Sequence, residues 1–274
     1  MNEHYTRCFF EGEHHDAMLQ FLNTKHSKQQ YFILCDEQTH YHCLSQLLQE
    51  FSFLNPDHVI VVPSGEVHKT IDTATGIWRE LLLKNAEKNA VLINLGGGVV
   101  TDLGGFTASL FKRGIDFIHV PTTLLAMVDA AIGGKNGVNI DFYKNQSGTI
   151  TFPQFVYINP VYLKTLPDDE LINGYAEMIK HGLIADKNYF FELLTHRHFK
   201  ERSAIAKAIA IKNNIVMHDP FEINQRRLLN FGHTMAHAIE SFFQASGVNY
   251  PHGKAVAAGM IMESFLSYRM NLIN

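Results

Sequence analysis

The chain has little net charge: its 274 residues hold 23 Lys and Arg against 27 Asp and Glu, a net of −4. Without a positive surplus there is no global field for nucleic acid, so acidic ligands must be met by local basic clusters. Cysteine is also scarce. Cys8, Cys35 and Cys43 form no CxxC pair and leave an odd thiol, which fits a reduced, cytoplasmic setting. Long apolar runs are missing as well. The longest, Ala255 to Met262, is far short of the roughly 20 residues a membrane helix needs, so no membrane association is expected. The opening Met-Asn-Glu-His-Tyr lacks the basic-then-apolar layout of a signal peptide. Neither GxGxxG nor HExxH occurs, which removes the usual dinucleotide fingerprint and argues against a zinc protease.

What is present is ample apolar content, 46% of residues, and 16 histidines, which favour metal or acid–base chemistry without locating it. The first half alternates β-branched runs with helical patterns, as a parallel α/β sheet requires. Strands are expected over 31–35, 58–62, 90–94 and 117–120, and helices over 42–51 and 70–83. From Pro167 the pattern turns helical, over 168–184, 203–217, 232–243 and 252–270. The boundary falls near Pro160, giving an α/β unit over 1–160 and an all-α unit over 161–274. A cleft between two such layers is a natural place for a site.

Two features carry chemistry. The strand ending at Asn94 runs into Gly96, Gly97 and Gly98 and then a helix from about Val99. That arrangement brings backbone amides and a helix N-terminus against a diphosphate, or alternatively makes a tight packing turn. Asp36, at another strand end, suits a ribose hydroxyl. The second feature is a set of Glu and His on predicted helices. Glu177 and Lys180 share one face, His233 and His237 share another, and His252 opens a third helix. A carboxylate with two imidazoles makes a three-ligand metal site with room for a substrate oxygen. Periodicity leaves open whether His237 or His252 completes it.

Several blocks in series then resemble the 3-dehydroquinate synthase family. They are Gly96–Phe106 (GGGVVTDLGGF), Val120–Leu125 (VPTTLL), Val128–Lys135 (VDAAIGGK), Lys144-Asn145, Leu163–Pro167 (LKTLP), Ala176–Lys180 (AEMIK), Leu229–Thr234 (LNFGHT) and His252-Gly253. The resemblance runs from about Tyr31 to the last residue. It implies an N-terminal NAD-binding α/β domain with a parallel sheet, an all-α metal-binding domain and a homodimer. The implied substrate is 3-deoxy-arabino-heptulosonate 7-phosphate, cyclised with loss of phosphate. By position, Glu177, His233 and His252 match the metal ligands, for zinc or cobalt. Asp36, Glu66, Lys69, Gly97, Gly98, Val99, Asp102, Thr122, Thr123, Lys144, Tyr162, Leu163, Lys164 and Thr165 match dinucleotide contacts, and Lys135 is shared with the substrate pocket. That pocket is matched by Asn145, Lys180, Lys212, Arg226, Asn230 and His237. Asp129 matches an acid near nicotinamide and substrate, and Arg113 an arginine that reaches the partner subunit's site.

Thr101, Tyr143 and Lys254 depart from the family's pattern, and Lys254 places a cation beside a metal-site histidine. The family continues past the position of Asn274 with further helices, one bearing a basic substrate contact. The resemblance therefore implies NAD and metal binding here, with weak substrate binding, slow turnover and association through the apolar face of 255–270. Other readings are a metal-dependent dehydrogenase of the glycerol dehydrogenase type, a cyclase acting on a neutral-ended sugar, and an inactive binding protein.

Overall fold

Five short apolar segments of the first 160 residues, joined by the three residues Cys8–Phe10, form one six-stranded parallel sheet. The computed structural model describes residues 5–12, 30–141, 143–196, 198–248 and 250–273. The strands are β1 (Cys8–Phe10), β2 (Tyr31–Asp36), β3 (Val59–Val62), β4 (Val91–Gly96), β5 (Asp116–Pro121) and β8 (Val156–Ile158), in the order β1-β8-β5-β4-β2-β3. Both faces are covered, so the strands read as continuous apolar runs. Alternate side chains divide between two cores: Ile33 and Cys35 of β2 lie in one, Phe32 and Leu34 in the other. The first core continues into the helical half through Leu171, Met178, Tyr189 and Ile205.

The chain leaves β2 outward to β3 and returns to β4 on the other side of β2. That reversal opens a crevice beyond the carboxyl ends of β2 and β4, where open parallel sheets take ligands. Asp36 ends one strand and Gly96 the other, and Cys35 pairs in register with Leu95. Along one face lie α3 (Ile71–Leu83) and α4 (Gly98–Leu110), and a two-stranded antiparallel hairpin, β6 (Lys135–Ile140) with β7 (Tyr143–Ile150), packs on α4.

After Pro160 only helices follow among the described residues. They are α5 (Asp168–Ala185), α6 (Lys187–Thr195), α7 (Arg202–His218), α8 (His233–Ala245) and α9 (His252–Arg269), with short 3-10 turns at 160–164 and 225–230. Helix α9 packs on α8 and α5 through glycines. A Cβ at Gly259 would lie 2.0 Å from the Gly232 carbonyl oxygen, and one at Gly253 2.6 Å from Asn173 Cα. Only bare backbone lets these helices approach so closely.

The expected helix over 42–51 is found as α2 (Leu44–Glu50), and a further helix, α1 (Glu37–His42), precedes it across a break at Cys43. Helix starts directly from the strand because Asp36 and Thr39 form a reciprocal capping box: the Thr39 amide donates to Asp36 Oδ1 at 2.8 Å, and the Asp36 amide to Thr39 Oγ1 at 3.0 Å. The polar run Glu37-Gln-Thr-His-Tyr-His42 has no apolar stripe to reveal it. Strands β1 and β8 (three residues each), the mostly exposed hairpin and α6 were likewise not among the expected elements. All three cysteines are free thiols.

Candidate metal and dinucleotide site

Three helices converge on Glu177, which sits on α5 and is 1% exposed. Helix α8 starts at His233 after Gly232, whose φ of 81° is the left-handed conformation glycine tolerates. Helix α9 starts at His252 behind Pro251, which needs no amide partner there. The Nε2 atoms of His233 and His252 each stand 3.6 Å from Glu177 Oε1, and the three ligand atoms lie within 4.8 Å of one another. The other ring nitrogens are engaged: His233 Nδ1 donates to the Phe231 carbonyl at 3.3 Å, and His252 Nδ1 to Glu240 Oε1 at 3.2 Å. In its neutral form each imidazole therefore turns its Nε2 lone pair inward, as metal-ligating histidines do. The donor set fits a divalent ion such as zinc or cobalt, with three protein ligands as in catalytic centres.

Burial works against the charge of His252, but hydrogen bonds and attraction from Glu177 and Glu240 outweigh it and raise its pKa to about 9. Burial likewise opposes ionisation of Glu177, yet Lys180 and His252 bring it down to about 2. Burial and the nearby Lys180 keep His233 below its usual value. Asp129, Glu177 and His181 also cluster within 4.8 Å. There, however, Lys212 Nζ meets Asp129 Oδ1 at 2.7 Å, so an ammonium group already fills that side.

Of the four expected substrate cations, Lys180 and Lys212 lie at this cluster, and three of the four have a carboxylate partner. Lys180 pairs with Glu177 one helical turn away, Lys212 with Asp129, and Lys135 with Glu222. Arg226, 1% exposed, donates to the carbonyls of Pro220 (2.5 Å) and Gly133 (2.8 Å). Asn230 donates to Glu222 Oε1 at 2.8 Å. Asp129 rides on a single π-helical turn, Ala126–Ala130, a distortion often found at working sites. Burial would raise its pKa, but Lys212 and Lys180 hold it well below the usual carboxylate range. The ring of His237 lies 5.6 Å from that of His233 and outside the ligand cluster.

Beyond the carboxyl ends of the strands, α4 begins at Gly98 with Gly97 as its N-cap and no side chain capping it. A Cβ at Gly97 would press on Thr123 Cγ2 at 2.9 Å. The bare turn and open helix start suit a diphosphate. Beside Val99 on the same helix, Asp102 accepts from Lys69 Nζ at 2.7 Å, and Lys69 also donates to Asn145 Oδ1 at 2.6 Å. Glu66 Oε1 accepts from Asn139 at 2.8 Å. The Thr122 amide bonds the Gly96 carbonyl at 3.0 Å, and Thr123 Oγ1 accepts the Ala126 amide at 3.1 Å. Lys144 reaches Glu240 at 3.4 Å. Tyr162 and Leu163 are buried in the turn after β8, with Lys164 and Thr165 exposed beside them.

Arg113 is exposed, with φ 64°, past the far end of α4 from the glycine turn. Lys254 does not bear on His252 as a bare cation, because its Nζ lies 3.1 Å from Asp169 Oδ1. Thr101 is buried with its hydroxyl on the Gly98 carbonyl at 3.1 Å, and Tyr143 is exposed. Three charged or titratable neighbours escaped the sequence reading. His181 is fully buried with Nε2 3.5 Å from Asp129 Oδ1, and its spacing of four from Glu177 was a usable signal. Glu240 follows His237 by three on α8. Glu222, in a loop, carried no pattern.

A parallel sheet with a glycine turn at its switch point, joined to a helix-borne Glu-His-His cluster, defines a dinucleotide- and metal-site α/β-plus-helix protein. Comparison with known proteins is specific. The family model for the 3-dehydroquinate synthase N-terminal region matches residues 59–173, and that for the C-terminal region residues 174–274. A 3-dehydroquinate synthase of Parabacteroides distasonis is 41% identical over 244 residues, 87% of this chain and 69% of that protein. One from Sulfurovum sp. is 44% identical over 218 residues, and this chain spans 62% of its length. Among solved structures, 2-deoxy-scyllo-inosose synthase complexed with carbaglucose-6-phosphate, NAD+ and Co2+ aligns with TM-score 0.86 at 28% identity, over 97% of this chain and 75% of that one. The 2-epi-5-epi-valiolone synthase of Streptomyces hygroscopicus, with NAD+ and Zn2+ bound, aligns with TM-score 0.80 at 25% identity, over 100% and 78%. The chain belongs to the 3-dehydroquinate synthase family.

Proposed function

We propose that this chain carries out the 3-dehydroquinate synthase reaction, a carbon–oxygen lyase step in aromatic amino-acid biosynthesis that cyclises 3-deoxy-arabino-heptulosonate 7-phosphate. The observation that carries this reading is the placement of Lys180 on Glu177 and of Lys212, with Arg226 nearby, at Asp129 beside the Glu177, His233 and His252 cluster. A dehydrogenase of neutral polyols has no anion for those cations to hold. The three pairing carboxylates, Glu177, Asp129 and Glu222, offset the Lys charges, while the Arg226 guanidinium hydrogen-bonds to carbonyls and is attracted by Glu222, Asp129 and Asp219. With a divalent ion added, the pocket is strongly positive, which suits a substrate bearing both carboxylate and phosphate.

Glu177, His233 and His252 hold the metal, and the glycine turn at Gly97 and Gly98, with Asp36, Glu66, Lys69, Asp102 and Lys144, holds NAD. When bound, the ion would supply Lewis acidity at the reacting alcohol oxygen and NAD would supply reversible hydride acceptance. Lys212 and Arg226 orient the substrate carboxylate, while Lys135, Asn145, Asn230 and His237 hold its other polar groups. Asp129, kept ionised by Lys212 and Lys180, accepts a hydrogen bond beside the reacting carbon. Oxidation of the alcohol acidifies the neighbouring C–H. The departing phosphate's own oxygen would take up that proton, and because the hydride is returned the cyclisation would leave no net redox change. The α/β unit over 1–160 thus serves the dinucleotide and the helices over 161–274 the metal. A cytoplasmic homodimer is part of this reading; no helix among the described residues is long and apolar enough to cross a membrane.

A cyclase of a neutral-ended sugar is the second reading, motivated by the carbaglucose-6-phosphate in the inosose synthase structure. Phosphate release measured with zinc and NAD from heptulosonate phosphate and, separately, from glucose 6-phosphate decides between them. Release from the acid sugar alone is expected, and Arg226→Gln should lose most of it. Release from glucose 6-phosphate alone would overturn the assignment.

A further inference from the structure

Glu240 holds none of the roles assigned above, yet it lies where the two halves of the site meet. Its Oε1 accepts from His252 Nδ1 at 3.2 Å and from Lys144 Nζ at 3.4 Å, and its side chain is 11% exposed. On the opposite edge of the same imidazole, Nε2 faces Glu177 Oε1 at 3.6 Å. A neutral imidazole that donates from Nδ1 carries its lone pair on Nε2, so the acceptor at Nδ1 selects the tautomer able to bind metal. His233 receives the equivalent support from a backbone carbonyl, Phe231 at 3.3 Å, which is neutral and fixed. Glu240 differs in two ways: it is anionic, and it shares one oxygen between the metal half, on α9, and the hairpin strand β7 of the other half.

We propose that Glu240 is the positioning residue of His252 and that, through Lys144, it couples dinucleotide binding to metal binding. The inference rests on the metal and NAD sites proposed above. While Lys144 Nζ shares Oε1, the carboxylate is partly neutralised as an acceptor for His252. An anionic ligand that draws Lys144 away leaves the carboxylate to the imidazole, which becomes the better metal donor. Coupling of this kind is reciprocal, so metal strengthens NAD binding by the same factor by which NAD strengthens metal binding.

Zinc affinity of the full 274-residue chain, measured by competition with a chromophoric chelator with and without NAD, tests both parts. Circular dichroism confirms folding. Glu240→Ala should weaken zinc binding by about 10–100-fold, the range for lost supports of a metal histidine. Glu240→Gln, which keeps an acceptor but not the charge, should fall between it and the wild type, and it carries the test if the alanine variant does not fold. Lys144→Met should tighten zinc binding without NAD by about fivefold or more, and the same change made on Glu240→Ala should do nothing. Unchanged zinc affinity in both Glu240 variants would overturn the positioning role. An effect of Lys144→Met that persists without Glu240 would overturn the coupling. A wild-type chain that fails to bind zinc would instead remove the underlying metal-site reading, and this inference with it.

Discussion

His252 and His237 present the same side-chain chemistry in different places. His252 brings Nε2 to 3.6 Å from Glu177, whereas the His237 ring sits beside His233 and outside the three-ligand cluster. His252→Ala should therefore lose bound metal, and His237→Ala should keep it while losing turnover. Metal analysis of the two purified variants checks this; equal loss in both would mean that His237 is a ligand. Spacing alone could not distinguish them, because the i, i+4 pair on one helix and the pair on two helices are equally good patterns. The answer depends on how α9 crosses α8, which is a tertiary fact. Away from the site, His119 gives a pH prediction. It is buried on β5 against Asn94, and burial pushes its pKa down to about 3. The unfolded chain takes up this proton near pH 6.5 and the folded one does not. Its contribution is thus complete above pH 6.5 and shrinks as pH falls toward 3, by up to about 1.4 kcal/mol per pH unit. Urea midpoints between pH 6.5 and 4.5 should fall more steeply for the wild type than for His119→Gln. Parallel profiles would contradict the assignment.

At the scale of elements, the site depends on how closely α9 can approach its neighbours. Gly259→Ala places a methyl 2.0 Å from the Gly232 carbonyl, just before His233. The helices must separate, at a cost of about 1–3 kcal/mol for forced overpacking. Thermal unfolding should shift down and zinc affinity should fall together, since His252 and His233 move apart. Gly76→Ala is the control: it lies within α3 with nothing near its Cβ, and should stabilise by about 0.4–1 kcal/mol. The buried parallel strands and the long helices could be read from the sequence because each carries a periodic apolar signal. Helix α3, for example, buries Ala74, Ile77 and Leu81 at helical spacing along one face. The other elements, α6 with its buried Tyr189 and Leu193 excepted, lack that signal. The hairpin β6–β7 shows water many of its residues, α1 is fixed by a cap instead of a stripe, and β1 and β8 are too short to alternate. The apolar run of α9 was visible too, and Ile261, Phe265, Leu266 and Tyr268 are exposed on it.

At the scale of the molecule, the glycine turn and the Glu-His-His cluster come from the two halves of the chain and are linked by the π-turn of Asp129, where a Cβ at Gly98 would lie 3.3 Å from Ala130 Cβ and Asp129 clusters with Glu177. Arg113 is the expected site residue that this arrangement leaves at the far end of α4. If it completes a neighbour's site, Arg113→Ala and Lys180→Ala, each inactive alone, should regain part of the activity when mixed, because hybrid dimers contain one intact site. No recovery after confirmed subunit exchange would show that Arg113 serves elsewhere. The central claim is that the nicotinamide is consumed and regenerated within one turnover. The most direct test is to count phosphate released from heptulosonate phosphate by zinc-loaded protein supplied with far less NAD than substrate, while following reduced-nicotinamide absorbance. Many phosphates per NAD with flat absorbance, abolished by chelator, is the predicted result; absorbance rising in step with product would contradict it.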